Sequence, residues 1–149
     1  MLESIEAVLL NYGYPGLFLA SFLASTILPF GSEGIVMLLI YKGFNVISVV
    51  MVASAGNFLG ACTSYYIGLK GGVYVERLLR ISPEDIGKAE KYFSRYGSVV
   101  LLFTWLPLIG DALTVASGIL RMRFPVFAVF VFAGKFLRYM AVAYFAGVL

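Results

Sequence analysis

The chain has no histidine and only one cysteine. The first absence removes imidazole acid–base catalysis and the commonest zinc ligand. The second excludes an intramolecular disulfide, because Cys62 has no mate. Charge is scarce as well. Of 149 residues, 13% are charged and 61% apolar, and the mean hydropathy is +0.94. A soluble domain is about a quarter charged, so this composition belongs in a membrane. The net charge is only +3, and no basic tract with interleaved aromatics offers a nucleic-acid surface. The N-terminus carries Glu3 and Glu6 without Lys or Arg, so it lacks the basic start of a cleaved signal peptide. No nucleophile–base pair and no metal-ligand cluster marks an enzyme. Neither a cofactor nor a metal is expected.

What the chain does have is repetition. Thr26-Ile27-Leu28-Pro29 returns 78 positions later as Thr104-Trp105-Leu106-Pro107, and Glu33 returns as Asp111. Ala55-Gly56-Asn57-Phe58-Leu59 returns as Ala133-Gly134-Lys135-Phe136-Leu137, and Tyr66 as Tyr144. Each copy is an apolar run broken by Pro and an acid, followed by a Gly-marked apolar helix. That is the pattern of a transporter repeat. Irregular backbone at membrane depth survives only where protein or a watery cavity satisfies it, so the breaks point at a site.

The expected fold class is an all-α integral membrane protein of two inverted repeats. Each is a Pro-broken re-entrant helical hairpin followed by a transmembrane helix, with interfacial helices added. Residues 1–149 form one membrane domain, with repeat 1 about 15–69, a connecting loop and helix over 70–97, and repeat 2 about 98–149. Residues 2–11 read as an amphipathic interfacial helix, and Tyr12-Gly13-Tyr14-Pro15-Gly16 as a turn at headgroup level. Segments 17–28 and 98–106 are too short to span, whereas 46–69 and 124–148 are long enough. Ser82-Pro83-Glu84-Asp85 starts a helix: Ser as cap, Pro first, acids in the first turn. That helix carries Ile86, Ala89, Phe93 and Tyr96 on one face, with Lys88, Lys91 and Arg95 flanking. It reads as resting on anionic headgroups or as a solvated connector.

Two topologies compete. If 17–41 and 98–120 each cross, Arg121 and Arg123 lie opposite the basic 70–97 segment. If each broken segment dips in and returns, eight basic residues from 70–97 and Arg121/Arg123 share one side. The positive-inside bias favours the second arrangement and makes 70–97 cytoplasmic in a multi-pass plasma-membrane protein.

Ionisable residues at membrane depth are costly and functional by default. Glu33 and Asp111 follow the breaks Pro29/Gly31 and Pro107/Gly110. They are candidate transport residues, and equally candidate caps of the returning half-helix. Lys135 and Arg138 lie inside the last span on one face. Lys135 falls roughly 17 Å along it, near the midplane. The two bases either hold an anion such as a phosphate headgroup or pair with the two acids and lock the fold. Gly56, Gly60, Ser64 and Gly68 recur every fourth residue, a small-xxx-small packing stripe. Asn57 aligns with Lys135 and is expected to share its cavity. Trp105 reads as packing.

These residues carry a resemblance. The Pro break before Glu33, the run Gly56-Asn57-Phe58-Leu59-Gly60 with Tyr65-Tyr66-Ile67-Gly68 and Gly72, and Trp105-Leu106-Pro107-Leu108-Ile109-Gly110-Asp111 with Ala116-Ser117-Gly118 resemble the DedA family. This is also called the SNARE-associated Golgi or VTT-domain family. Gly134-Lys135-Phe136-Leu137-Arg138-Tyr139 is similar to its small YqaA-like branch. The resemblance covers nearly the whole chain. It implies two opposed re-entrant hairpins and lipid translocation, of polyprenyl phosphate in bacterial members and phospholipid in eukaryotic ones, with proton coupling proposed for some. The family's first-hairpin acid carries over onto Glu33. Its acid after the Gly stripe does not, since Ala61 stands there, and Thr104 and Gly110 replace two frequent arginines. Lys135 and Arg138 could supply that positive charge.

The function expected first is a lipid flippase or scramblase for a phosphate-bearing lipid. The alternatives are a small-ion or proton-coupled transporter and a non-transporting structural membrane protein. The expected partners are membrane lipids and not nucleic acid, with protons and a second copy of the chain left open.

Overall fold

The computed structural model describes residues 2–26, 32–71, 82–106 and 109–147. Pro29, Gly31 and Pro107, named above as breaks, lie outside the described residues, as do 72–81. All regular structure among the described residues is helical: α1 (Leu2–Thr26), α2 (Ser32–Tyr41), α3 (Val46–Lys70), α4 (Pro83–Tyr96), a 3-10 segment (Gly97–Phe103), α5 (Ile109–Ile119) and α6 (Phe124–Phe145). Among these, α3 and α6 are long and apolar enough to cross a membrane.

Local chemistry explains the boundaries. The expected turn at 12–16 is a kink inside α1, set by Gly13 at φ 46°, ψ −118°. Only glycine adopts that conformation readily. Pro15 follows at once, where its missing N–H belongs to a fresh first turn. Asn45 caps α3, its Oδ1 accepting from Ser48 N at 3.0 Å. Ser82 caps α4 as the sequence indicates, its Oγ accepting from Asp85 N at 3.2 Å. Ala89 and Phe93 on the apolar face of α4 are buried in a cluster that includes Ala112 and Leu113 of α5. That face therefore meets protein rather than headgroups, and only Tyr96 of the expected stripe is exposed.

The turn after α2 and the turn after α5 are the same motif 78 positions apart. Lys42, Gly43 and Phe44 donate to Leu38, Ile40 and Leu39; Leu120, Arg121 and Met122 donate to Ala116, Gly118 and Ser117. This is a helix end closed by a left-handed residue, Gly43 at φ 93° and Arg121 at φ 53°. The two turns sit at opposite ends of α3. Phe44 directly precedes α3, whereas the Tyr65 hydroxyl donates to Met122 O. Tyr65 lies roughly 28 Å along that helix at about 1.5 Å per residue.

Two apolar cores flank a polar layer. Leu17, Val36, Leu39, Val49, Val50, Ala53, Tyr139 and Ala143 fill the end near Phe44. Tyr65, Phe93, Leu101, Leu113, Val115, Phe127 and Val131 fill the other. Small residues bring the backbones together. A Cβ on Gly56 would lie 2.5 Å from Phe18 O, and one on Gly60 would lie 2.7 Å from Phe22 O, both in α1. Gly68 turns to α5 instead, where Gly118 answers it: a Gly68 Cβ would lie 3.3 Å from Ile119 N, and a Gly118 Cβ 2.8 Å from Leu69 N.

Candidate functional site

The site is built where α2 meets α6. Glu33 stands in the first turn of α2, and Arg138 projects from α6. Their side chains form an ion pair, Arg138 being 17% and Glu33 26% exposed. Arg138 lies roughly 21 Å along α6 at about 1.5 Å per residue, well inside the span. The pair floors a groove of about 600 Å³ whose walls are otherwise apolar: Met37, Trp105, Leu137, Ala141, Val142, Phe145 and Ala146. A second groove of about 420 Å³ shares Met37 and Ala146 and continues past Gly34, Leu38, Ile40 and Tyr41. Several wall residues face outward, with Leu137 60% and Phe145 85% exposed. The groove thus opens sideways, toward whatever surrounds the helices.

Behind the pair lies a hydrogen-bonded row. Ser32 Oγ and Tyr139 OH are 2.7 Å apart. Asn57 Nδ2 donates to Tyr139 OH at 3.1 Å and to Ser21 O at 3.3 Å. One residue on either side of the ion pair, Ser32 and Tyr139 therefore tie α2 to α6 and α3. Asn57 is buried and belongs to this row, not to the groove lining.

The four charges do not form one cluster. Lys135 is 2% exposed and donates to Thr104 O at 3.2 Å, at the second break. Lys135 is absent from the groove that Arg138 lines. Three residues put two side chains on one helix face, but here one reaches toward the first break and the other toward the second. Gly110 is pressed against Thr104, leaving no space for a Cβ.

Two residues were missed by sequence reasoning. Trp105, read as packing, is 40% exposed and walls the groove. Its position beside a break was the available signal. Tyr139, the hub of the polar row, is fully buried. Nothing in its apolar helix context distinguishes it, except that it follows Arg138.

Two helices long and apolar enough to cross a membrane, with an ion pair well along one of them, fit a membrane protein with a buried polar site. The comparisons name its family. The VTT domain matches residues 28–147, and the chain belongs to this DedA, or VTT-domain, family. It is 36% identical over 128 residues to the inner membrane protein YqaA of Escherichia coli, covering 85% of this chain and 86% of that one. It is 33% identical over 138 residues to an uncharacterized protein of Haemophilus influenzae, covering 86% and 83%. It is 32% identical over 143 residues to a Lactococcus lactis protein called alkaline phosphatase-like, covering 87% and 67%. No solved structure matches the chain.

Proposed function

We propose that this protein carries a phosphate-bearing lipid, a polyprenyl phosphate or a phospholipid, from one leaflet to the other. One observation carries the reading. An ion pair at bilayer depth floors an otherwise apolar groove that is open to the side. A lipid chain can stay in the bilayer while its headgroup passes such a groove. A bare ion would need an enclosed polar path.

The mechanism follows from the pair. A phosphate entering the groove competes with Glu33 for Arg138, whose guanidinium matches phosphate in a bidentate fork. A proton taken up by Glu33 frees Arg138 for the headgroup, and its loss re-forms the pair and expels the lipid. The groove walls cover the first carbons of the chain, with Trp105 and Phe145 at the rim. The matched turns at opposite ends of α3 support two hairpins entering from opposite faces, an inverted repeat in a multi-pass protein. The basic residues put 70–97 and Arg121/Arg123 on the cytoplasmic side. Cysteines at 44 and 122, on a Cys62→Ser background, should label from opposite sides; labelling from one side would overturn the inverted arrangement.

A structural role is favoured at one point only. Lys135 is enclosed and bonded to Thr104 O, which suits a staple on the second break. The phosphatase-like name belongs to the Lactococcus protein. Among the described residues no three His, Cys, Asp or Glu gather to hold a metal, and we read the chain as a carrier.

The test is movement of labelled polyprenyl phosphate and phospholipid in proteoliposomes. Glu33→Gln with Arg138→Met leaves no unpaired charge, so it should fold, yet move lipid at least about tenfold more slowly, ~1.4 kcal/mol in barrier. Wild-type rates in this double variant would defeat the reading.

A further inference from the structure

Hydroxyls in these helices follow one habit. Ser54 donates to Val50 O at 2.7 Å, Thr63 to Leu59 O at 3.1 Å, Ser64 to Gly60 O at 3.4 Å and Thr26 to Phe22 O at 3.2 Å. Each bonds back one turn, the usual resting place for a helical hydroxyl. Ser21 and Ser25 depart from it. They are 0% and 5% exposed, and neither Oγ has a hydrogen-bond partner. Both side chains face α3: Ser21 Cβ lies 3.1 Å from where a Gly56 Cβ would stand, and Ser25 Oγ 3.1 Å from the corresponding point on Gly60.

A third orphan oxygen lies in the same seam. Asn57, 2% exposed, has no partner for Oδ1. Its amide orientation is fixed from the other end, because Nδ2 donates to Ser21 O and Tyr139 OH. Turning the amide over would set Oδ1 against the Ser21 carbonyl.

Three buried oxygens with free lone pairs are costly if left unsatisfied. A small cation supplies what they lack. All three are neutral, which suits a monovalent ion; calcium and magnesium sites are built on carboxylates.

We infer that Ser21 Oγ, Ser25 Oγ and Asn57 Oδ1 are side-chain ligands of a sodium ion seated between α1 and α3. The ion communicates with the groove through Asn57, Tyr139 and Ser32, at 3.1 and 2.7 Å. Holding Oδ1 keeps Nδ2 on Tyr139, and Tyr139 seats Ser32 at the start of α2, beside Glu33. Sodium therefore sets the position of one wall of the groove. Its role in coupling rests on the transport reading; its binding does not.

The experiment compares thermal unfolding of the purified protein in sodium chloride and in choline chloride at equal ionic strength, alongside equilibrium binding of radioactive sodium. Sodium binding should raise Tm by about 2–8 °C. Ser21→Ala with Ser25→Ala removes two hydroxyls that make no hydrogen bond. It should keep the choline Tm and lose both the sodium-dependent rise and sodium binding. If that pair unfolds, Ser25→Ala alone is read in the same way. Equal Tm in both salts, absence of sodium binding, or a rise that survives loss of the hydroxyls would overturn the site. Lipid movement is scored separately: sodium binding without lipid transport sinks the transport proposal and leaves the site standing, whereas lipid transport without sodium binding does the reverse.

Discussion

Two helix crossings in this molecule are counterparts, 78 positions apart, and they differ. Where α5 crosses α3, Gly118 and Gly68 bring the backbones into contact, with Val115 and Tyr65 beneath them. Where α2 crosses α6, the equivalent positions hold Ile40, Ala146, Met37 and Ala143. The first crossing is closed and almost wholly buried, Ala112 through Gly118 being out of contact with solvent. The second is held apart by side chains and bordered by the two grooves. One crossing therefore supplies rigidity and the other borders a cavity. What distinguishes them is the presence or absence of two glycines, which permit the close backbone approach that packs helices in lipid.

The largest effect should come from spoiling the closed crossing. Gly118→Leu drives a side chain into the Tyr65 carbonyl and the Leu69 N–H, where no flexible group can yield. Overpacking of this kind costs about 1–3 kcal/mol in ordinary cores, and a backbone obstacle puts it at or above the upper end. Thermal unfolding in detergent should show a large drop in Tm; an unchanged value would mean that the crossing is not tight.

The open crossing should respond in the opposite sense. Ile40→Ala alone leaves a cavity, which in cores costs about 2–5 kcal/mol. Adding Ala146→Gly should let α2 settle onto α6, recover part of that loss, narrow the groove and slow lipid movement several-fold. Equal stability of the single and double variants would show that these side chains do not set the spacing.

The smallest effect concerns the matched turns. Gly43 holds the left-handed position after α2, but Arg121 holds it after α5. A side chain there costs about 1 kcal/mol relative to glycine. Arg121→Gly should raise stability by roughly 0.5–1 kcal/mol, read as a shift in Tm; a loss would mean that the guanidinium contributes more than the strain removes.

Much of this was legible beforehand. Composition gave the membrane setting, the Ser82-Pro83 signal the start of α4, and the apolar runs from 46 and from 124 the starts of the two long helices. The 78-residue register aligned Glu33 with Asp111 and Asn57 with Lys135, and the scarcity of charge in the last span singled out Arg138. The register could not say which acid met which base, because one helical turn decides whether a side chain of α6 reaches Glu33 or Thr104. The choice of Arg138 for Glu33 and the enclosure of Lys135 are properties of the assembled layer. So is the groove, since a missing glycine pair has meaning only once its counterpart has been seen to touch. The 3-10 form of Gly97–Phe103 escaped for a related reason: its apolar run has no period to separate it from an ordinary helix.

The link between Ser32 and Tyr139 spans 107 positions. During synthesis at about 5–20 residues per second, the start of α2 exists for roughly 5–20 s before its tyrosine is made. Over that interval Glu33 has no arginine either. The nascent chain must therefore wait with a bare carboxylate and an untied helix start, at the bilayer surface or in the shelter of the insertion machinery. The last helix therefore completes both the ion pair and the tie on the start of α2, so these two contacts are among the latest to form.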